Sequence, residues 1–249
     1  MPKTPSYVIV GRGRWAGRMQ AILAAEERRI TNIAEARQNR TESEAAYKSR
    51  LAGSFQATGA QIAWLCVPPG PHIPLMLEAA MDVGLNAVAE KPWQCSRSAT
   101  EALQAHAKKT RRLLAVHYEY CLLSQVETWR KTFYPGSGLR FGGRYFLNRP
   151  DHLGIPAIEN VGSHLLSIRA HAAPESTLSE ILCGYERPDE RSVWLEKAGT
   201  RTAFLNLLEN KEPIIQRFIR NFEAALDGGE FPFGLEFALR VAEDVASVR

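Results

Sequence analysis

The stretch Tyr7-Val8-Ile9-Val10-Gly11-Arg12-Gly13-Arg14-Trp15-Ala16-Gly17-Arg18-Met19-Gln20 limits what this chain can fold into more than any other. Four residues suited to a buried parallel strand run straight into two glycines. A helical pattern follows, with Met19, Ile22 and Leu23 on one face. Gly11, Gly13 and Ala16 fit the spacing G-x-G-x-x-G/A. Gly11 permits a tight turn out of the strand, Gly13 lets backbone approach a pyrophosphate, and Ala16 lets the helix pack close to the strand. The helix N-terminus then offers N–H groups and a positive dipole end to phosphates. Without a ligand the same residues make a glycine-rich strand-to-helix turn. Their place after the first strand of the chain favours the dinucleotide reading.

The rest of the first half continues this pattern. Arg29 to Glu35 reads as a second strand, and Glu35 lies 22 residues beyond Gly13, near the spacing of an acid that binds the adenosine ribose. Arg37 and Arg40 follow, and they suit a 2′-phosphate instead. The two cations after one anion tilt the expectation towards NADP over NAD. Arg12, Arg14 and Arg18 by the glycine loop suit a phosphate-bearing ligand or a solvated helix face. Thr41-Glu42-Ser43-Glu44 resembles a capping box opening a helix to about Phe55. The apolar run Ile62 to Val67 is a strand ended by Pro68-Pro69-Gly70-Pro71, with His72 behind it, at the strand end where open α/β sheets bind ligands. Leu75 to Val83 reads as a helix, and Asn86 to Ala89 as a short strand leading into Glu90-Lys91-Pro92. A helix over Ala99 to Lys109 and a strand over Leu113 to His117 complete the alternation. Strand–helix alternation of this kind builds a doubly wound parallel sheet.

After about Tyr120 the character changes. A helix over Leu123 to Phe133 and a turn at Pro135 to Gly138 precede strands at 140–147, 178–185, 192–196 and 201–208. A helix over Ile158 to His171 lies between the first two. The strands follow one another closely, which predicts a mostly antiparallel, open sheet. Ile214, Ile215, Phe218, Ile219 and Phe222 form one apolar helical stripe, and Leu235, Leu239 and Ala242 belong to another. The sequence thus divides at about residue 120: residues 1–120 as an N-terminal Rossmann domain, and 121–249 as a smaller α/β domain for substrate binding and oligomer contacts.

Composition narrows the function classes. Of 249 residues, 45 % are hydrophobic, enough for a sizeable core. The formal charge of +4 is mild and the basic residues are scattered, so nucleic acid is not indicated. No apolar run reaches membrane-spanning length, and Met1 to Pro5 lacks the apolar centre of a signal peptide, so a cytoplasmic protein is expected. Cys66, Cys95, Cys121 and Cys183 show neither metal nor disulfide spacing.

At Glu90-Lys91-Pro92 the chain resembles the glucose–fructose oxidoreductase / inositol dehydrogenase / MocA family. The resemblance rests on the Gly11-x-Gly13-x-x-Ala16 loop, Pro68-Pro69 with His72, and Gly84 before the strand into Glu90-Lys91-Pro92. It continues through the strand ending His117-Tyr118, the segment Asn160-Val161-Gly162-Ser163-His164 in place of D-x-G-x-H, and Phe231-Pro232-Phe233-Gly234-Leu235. It implies NAD- or NADP-dependent redox chemistry, commonly on sugars, cyclitols and related compounds. Lys91 then sits by nicotinamide and substrate, His164 acts with it, and Asn160 holds the substrate. A lysine beside a cationic nicotinamide has its pKa lowered and exchanges the proton that accompanies hydride transfer. One helix turn separates Asn160 from His164, so both are expected to face one cleft. Arg149, His152 and Arg169 flank that segment and suit an anionic substrate, or simply carry surface charge.

Three departures from the family stand out. Asn160 replaces an aspartate, Glu119 and Tyr120 occupy a region where the family often has arginine, and the second domain is short. The sequence therefore predicts an oxidoreductase acting on a small carbonyl, alcohol or imine compound, and a homodimer or larger homo-oligomer formed through the uncovered sheet face. A nicotinamide-dinucleotide-binding protein without turnover is the alternative.

Overall fold

The computed structural model describes residues 4–34, 36–151 and 154–248. The chain forms two compact units: residues 1–117 with 219–239, and residues 118–218 with 240–249.

In the first unit five parallel strands take the order β2-β1-β3-β4-β5: β1 (Ser6–Val10), β2 (Arg29–Ile33), β3 (Ile62–Leu65), β4 (Asn86–Glu90) and β5 (Leu114–His117). Helices α1 (Arg14–Ala25), α2 (Glu44–Thr58), α3 (His72–Asp82) and α4 (Arg97–Thr110) connect them. β1, β3 and β5 are buried along their whole length, which is why they read as unbroken apolar runs. Helix α1 buries Ala16, Met19 and Leu23, one stripe at helical spacing. The strand order reverses between β1 and β3, and such a switch point leaves a crevice outside the carboxyl ends of those strands.

Residues 219–239 complete this unit. Glu223 on helix α8 (Ile214–Ala225) accepts hydrogen bonds from the Tyr7 hydroxyl at 2.8 Å and from Arg28 Nε and Nη2 at 2.8 and 2.7 Å. Burial, with Glu223's charge next, pushes the Tyr7 hydroxyl far above its ordinary pKa, so it stays a neutral donor. Phe222, Phe231, Phe233 and Phe237 meet edge to face in a chain. The Val116 N–H donates to the Phe233 carbonyl, which occupies part of the outer edge of β5.

In the second unit a four-stranded sheet has the order β7-β6-β8-β9. Its strands are β6 (Arg140–Leu147), β7 (Thr177–Tyr185), β8 (Glu190–Lys197) and β9 (Thr200–Asn206). The β6/β8 and β8/β9 pairs are antiparallel, as the close succession of strands predicts, but β6 and β7 are parallel. The helical segment between them makes a crossover, and a crossover returns the chain in the same direction. Phe141, Tyr145 and Leu147 of β6 and Val193 and Leu195 of β8 pack with Leu165 and Ile168 of helix α7 (Gly162–Ala172) and Val126 and Trp129 of helix α5 (Ser124–Phe133). Helix α9 (Leu235–Ser247) ends the described chain.

Several boundaries differ from the sequence expectation. Helix α2 begins at Glu44 because Ser43, not Thr41, is its cap: Ser43 Oγ accepts from the Ala46 N–H. Glu42 instead pairs with Arg50 and takes the Asn39 N–H. Helix α3 starts at His72, since Pro74 is tolerated in a first turn. The expected helix over 158–171 is two helices, α6 (Ala157–Asn160) and α7, interrupted at Val161.

Candidate functional site

The dinucleotide fingerprint lies at the switch point. Gly11 follows β1 with φ +127°, and a methyl group there would sit 2.5 Å from the Cys66 carbonyl oxygen at the end of β3. Side chains rarely adopt that φ, so both backbone and space require glycine. At Gly13 the reverse holds: nothing lies within 4 Å of where a Cβ would stand. Gly13 is the N-cap of α1 in extended backbone, with no side-chain cap on the helix and no acid in its first turn. The first N–H groups of α1 have no intrahelical partner and face the end of the helix that favours anions. These features fit a pyrophosphate: a cradle that a Cβ would fill and donors that the fold leaves for a ligand. Arg12 and Arg14 flank the cradle in sequence and are exposed.

Around the cradle stand the other expected residues of this unit. The His72 ring is hydrogen-bonded to the backbone of Pro68, and the chain enters α3 directly beyond Pro69. Burial holds the His72 pKa below the ordinary histidine value, and Arg37's nearby charge adds to this, so His72 is neutral at pH 7. Arg37 and Arg40 lie in the exposed loop after β2. Glu35 lies outside the described residues.

The E-K-P motif supplies a buried charge cluster. Glu90 and His117 are register partners on the last rung between β4 and β5. The Glu90 carboxylate accepts from Trp64 Nε1 at 2.8 Å and pairs with His117 Nδ1 at 3.2 Å. Burial would raise the Glu90 pKa, but the charge and hydrogen bond of His117 and the Trp64 N–H outweigh it, and the carboxyl is held below its ordinary value. The Trp15 ring meets the His117 ring at 6.0 Å and carries the Arg18 guanidinium at 5.2 Å on itself. Trp15 and Glu90, expected at the cofactor, thus belong to one cluster beneath the strand ends. Lys91 follows immediately, half-buried, where β4 ends and a cis Lys91–Pro92 bond begins the next loop.

The second unit holds the other expected residues, and their arrangement departs from a single helical turn. Asn160 ends α6 and His164 lies in α7, with the break at Val161 between them. The side-chain amide of Asn160 donates to the Tyr185 hydroxyl at 2.7 Å. His164 is buried, stacked on Tyr145 at 5.4 Å and 15°, with Tyr120 edge-on at 4.8 Å. Just past the break only glycine fits: a Cβ on Gly162 would lie 2.7 Å from the Ile158 side chain and 3.1 Å from Cys183. Arg169 is committed elsewhere, to Asp244 at 2.7 Å and the Ser176 carbonyl. Arg149 is exposed, and His152 lies outside the described residues.

Sequence reasoning did not single out Trp64, Tyr145, Tyr185 or Arg191. Trp64 and Tyr145 read as ordinary strand hydrophobes, and their polar ends become informative only once the fold places Trp64 Nε1 on Glu90 and the register sets Tyr145 opposite Arg191. Among the described residues no group of three metal-ligating side chains comes together, and no helix is long and apolar enough to cross a membrane. Burial pushes the Cys95 and Cys183 thiols up to about 11 and about 12, so both are protonated at neutral pH.

No family model matches the chain, and no curated protein matches it in sequence. Its fold is shared with solved structures. The UDP-N-acetylglucosamine 3-dehydrogenase of Acidithiobacillus ferrooxidans superposes with a TM-score of 0.76 at 14 % identity, covering 98 % of this chain and 96 % of that one. The WlbA dehydrogenase of Thermus thermophilus, in complex with NAD and UDP-GlcNAcA, gives 0.73 at 15 %, covering 98 % and 94 %. GenD2 from gentamicin A biosynthesis, in complex with NAD, gives 0.78 at 13 %, covering 99 % and 93 %. The chain therefore has the α/β fold of these proteins: a Rossmann-type parallel sheet and a second, mixed sheet.

Proposed function

We propose that this protein is a nicotinamide-dinucleotide-dependent oxidoreductase acting on a small carbonyl, alcohol or imine compound, a member of the glucose–fructose oxidoreductase / inositol dehydrogenase / MocA type. The observation that carries this is the cradle at the switch point: Gly11 pressed against the Cys66 carbonyl, open space at Gly13, and an α1 N-terminus without a side-chain cap. The likeness to dehydrogenases solved with NAD supports it. The dinucleotide supplies hydride exchange at its nicotinamide when bound. The α1 N–H groups hold the pyrophosphate, Pro68, Pro69 and His72 border the nucleotide, and Arg37 and Arg40 read a 2′-phosphate, which favours NADP.

Lys91 Nζ is the group we assign to proton exchange with the substrate. It follows Glu90 at the end of β4, where the Glu90 carboxylate is held by Trp64 Nε1 and His117 Nδ1. His164 and Asn160 are assigned to the substrate side. The test is titration with NADPH and NADH followed by nicotinamide fluorescence, then cofactor consumption with a panel of ketones, aldehydes and imines. Saturable binding with turnover is expected; binding with no turnover on any of them would favour the cofactor-binding protein.

We also infer a homodimer. On the outer face of the second sheet, Trp194 covers Gly142, Arg144 and Arg201 flank its indole at 5.9 and 4.7 Å, and Phe204 and Leu208 are 47 % and 43 % exposed. Arg144 alternates with Glu180 and Glu190 around this apolar centre. A face carrying both signs around an apolar middle is complementary to a two-fold copy of itself.

A further inference from the structure

Arg191 stands apart from other partly buried arginines of this chain. Arg28, Arg50 and Arg169 each hold a carboxylate at 2.7–2.8 Å. The ion pair of Arg191, to Asp189, is 3.9 Å long, and Asp189 is about half exposed and already accepts the Asn148 N–H. At that length and exposure the pair contributes little. Arg191 Nε is buried and meets no hydrogen-bond partner.

What packs against the guanidinium is mainly aromatic. Arg191 on β8 is the register partner of Tyr145 on β6, and its guanidinium lies 5.1 Å from the Tyr145 ring centre. It donates a hydrogen bond to Tyr120, whose hydroxyl is 3.4 Å from that of Tyr145. His164 packs against both tyrosine rings. Burial, with Glu119's charge next, pushes the Tyr120 hydroxyl up, so it remains a neutral O–H. Tyr145 and His164 are buried, whereas Tyr120 and Arg191 each keep part of their surface in solvent.

A guanidinium has five donors in a rigid fork, and this geometry matches a carboxylate with two parallel hydrogen bonds. Here one donor is taken by Tyr120, the face is covered by Tyr145, and among the described residues the carboxylate paired with it, Asp189, is 3.9 Å away. We propose that Arg191, with Tyr120 beside it, binds the carboxylate of a small organic acid, so that the substrate of the oxidoreductase carries a carboxylate. That last step rests on the function proposed above; the carboxylate site itself does not. One cation among flat rings suits a flat monoanion. Glu119, whose charge reaches Tyr120 and Tyr145, opposes a second negative charge, which argues against a phosphate dianion. This cation comes from β8, not from Arg149 or Arg169 beside the Asn160–His164 segment.

The test is calorimetric titration of the whole protein with acetate, pyruvate and malonate. Acetamide and methyl pyruvate serve as uncharged controls and inorganic phosphate as the rival anion. Each is run with and without NADP on wild type, Arg191→Gln and Arg191→Lys. Wild type is expected to bind at least one carboxylate saturably and neither uncharged control. Arg191→Gln should weaken that binding about 10–100-fold, the worth of a charge-assisted pair of hydrogen bonds, and Arg191→Lys should lose less. Should Arg191→Gln fail to fold, the wild-type titration and Arg191→Lys still decide. No carboxylate binding by wild type, equal binding by Arg191→Gln, or a preference for phosphate would each overturn the proposal. NADP binding is read separately by fluorescence, so its absence would sink the oxidoreductase assignment while the carboxylate site stood or fell on its own data.

Discussion

Gly11 and Cys66 touch across the switch point: a Cβ on Gly11 would lie 2.5 Å from the Cys66 carbonyl oxygen, and the Gly11 φ of +127° excludes it a second time. Gly11→Ala should therefore damage the fold, by about 1–3 kcal/mol for a strained backbone alone. Gly13→Val should not, because its position is open. The valine should instead block the pyrophosphate and remove NADPH binding. Thermal unfolding and cofactor fluorescence on both variants separate these effects; a folded Gly13→Val protein with undiminished affinity would disprove the cradle.

Lys91→Met keeps length and removes the exchangeable proton. Turnover should fall about 10²–10⁴-fold, the usual loss on removing a general acid or base, with NADPH affinity nearly unchanged because the pyrophosphate cradle is intact. Steady-state rates with whichever compound proves a substrate check this. Near wild-type turnover would move the chemistry to His164 or Tyr118.

Arg37 and Arg40 follow β2 on an exposed loop, and Arg37's charge reaches His72. Replacing both by alanine should weaken NADPH more than NADH, since only the former carries the 2′-phosphate. Equal losses for the two cofactors, or none, would show that these arginines do not read the phosphate.

Glu90 gives the protein an acid-side dependence. Its folded pKa is depressed below the ordinary carboxyl value of 4.5, despite burial, chiefly by His117, with the Trp15 and Trp64 N–H groups after it. A depressed carboxyl contributes stability that is fully present above its unfolded value and is lost as pH falls through the folded one. Below about pH 4.5 the wild-type Tm should fall, and in Glu90→Gln this part of the fall should be absent, leaving a flatter acid limb. At pH 7 the variant should be less stable by about 1–3 kcal/mol, because the charged acceptor of the Trp64 and His117 N–H groups is gone. Circular dichroism melts from pH 3 to pH 8 (roughly the range in which carboxyl and imidazole groups titrate) would show it; parallel curves would refute it.

Phe204→Glu places a charge on the exposed apolar centre of the second sheet. Light scattering should find wild type at twice the chain mass and the variant at the mass of one chain, with the same melting profile at high dilution. A wild-type monomer would remove the homodimer.

The first unit was legible in the sequence because its signals are local. An apolar strand, a glycine turn and an amphipathic helix each declare themselves within about a dozen residues, and β1–α1 is such a case. The second sheet was legible as strands but not as pairing. Only the crossover through α6 and α7 turns β7 parallel to β6, and sequence spacing alone does not carry direction. The tight fit at Gly162 beside the break was hidden for a different reason: it depends on Ile158 and Cys183, and Cys183 lies more than a helix length away in sequence. Arg191 was invisible because its setting depends on cross-strand register. Nothing in Asp189-Glu190-Arg191 distinguishes it from the many solvated charge runs a chain carries.

The hydrogen bond from Val116 to the Phe233 carbonyl, with the Tyr7–Glu223 pair, joins segments separated by more than a hundred residues of chain. The first unit to be synthesised is accordingly among the last to be finished. While the ribosome is still making the second sheet, Tyr7 and Arg28 have no Glu223 to answer them, and the edge of β5 waits for its strap. Between the synthesis of β5 and that of Phe233 the edge of the parallel sheet has no strap. A chain stopped before residue 219 lacks the segment that supplies Glu223 and the Phe233 carbonyl, and exposed sheet edges of that kind invite aggregation.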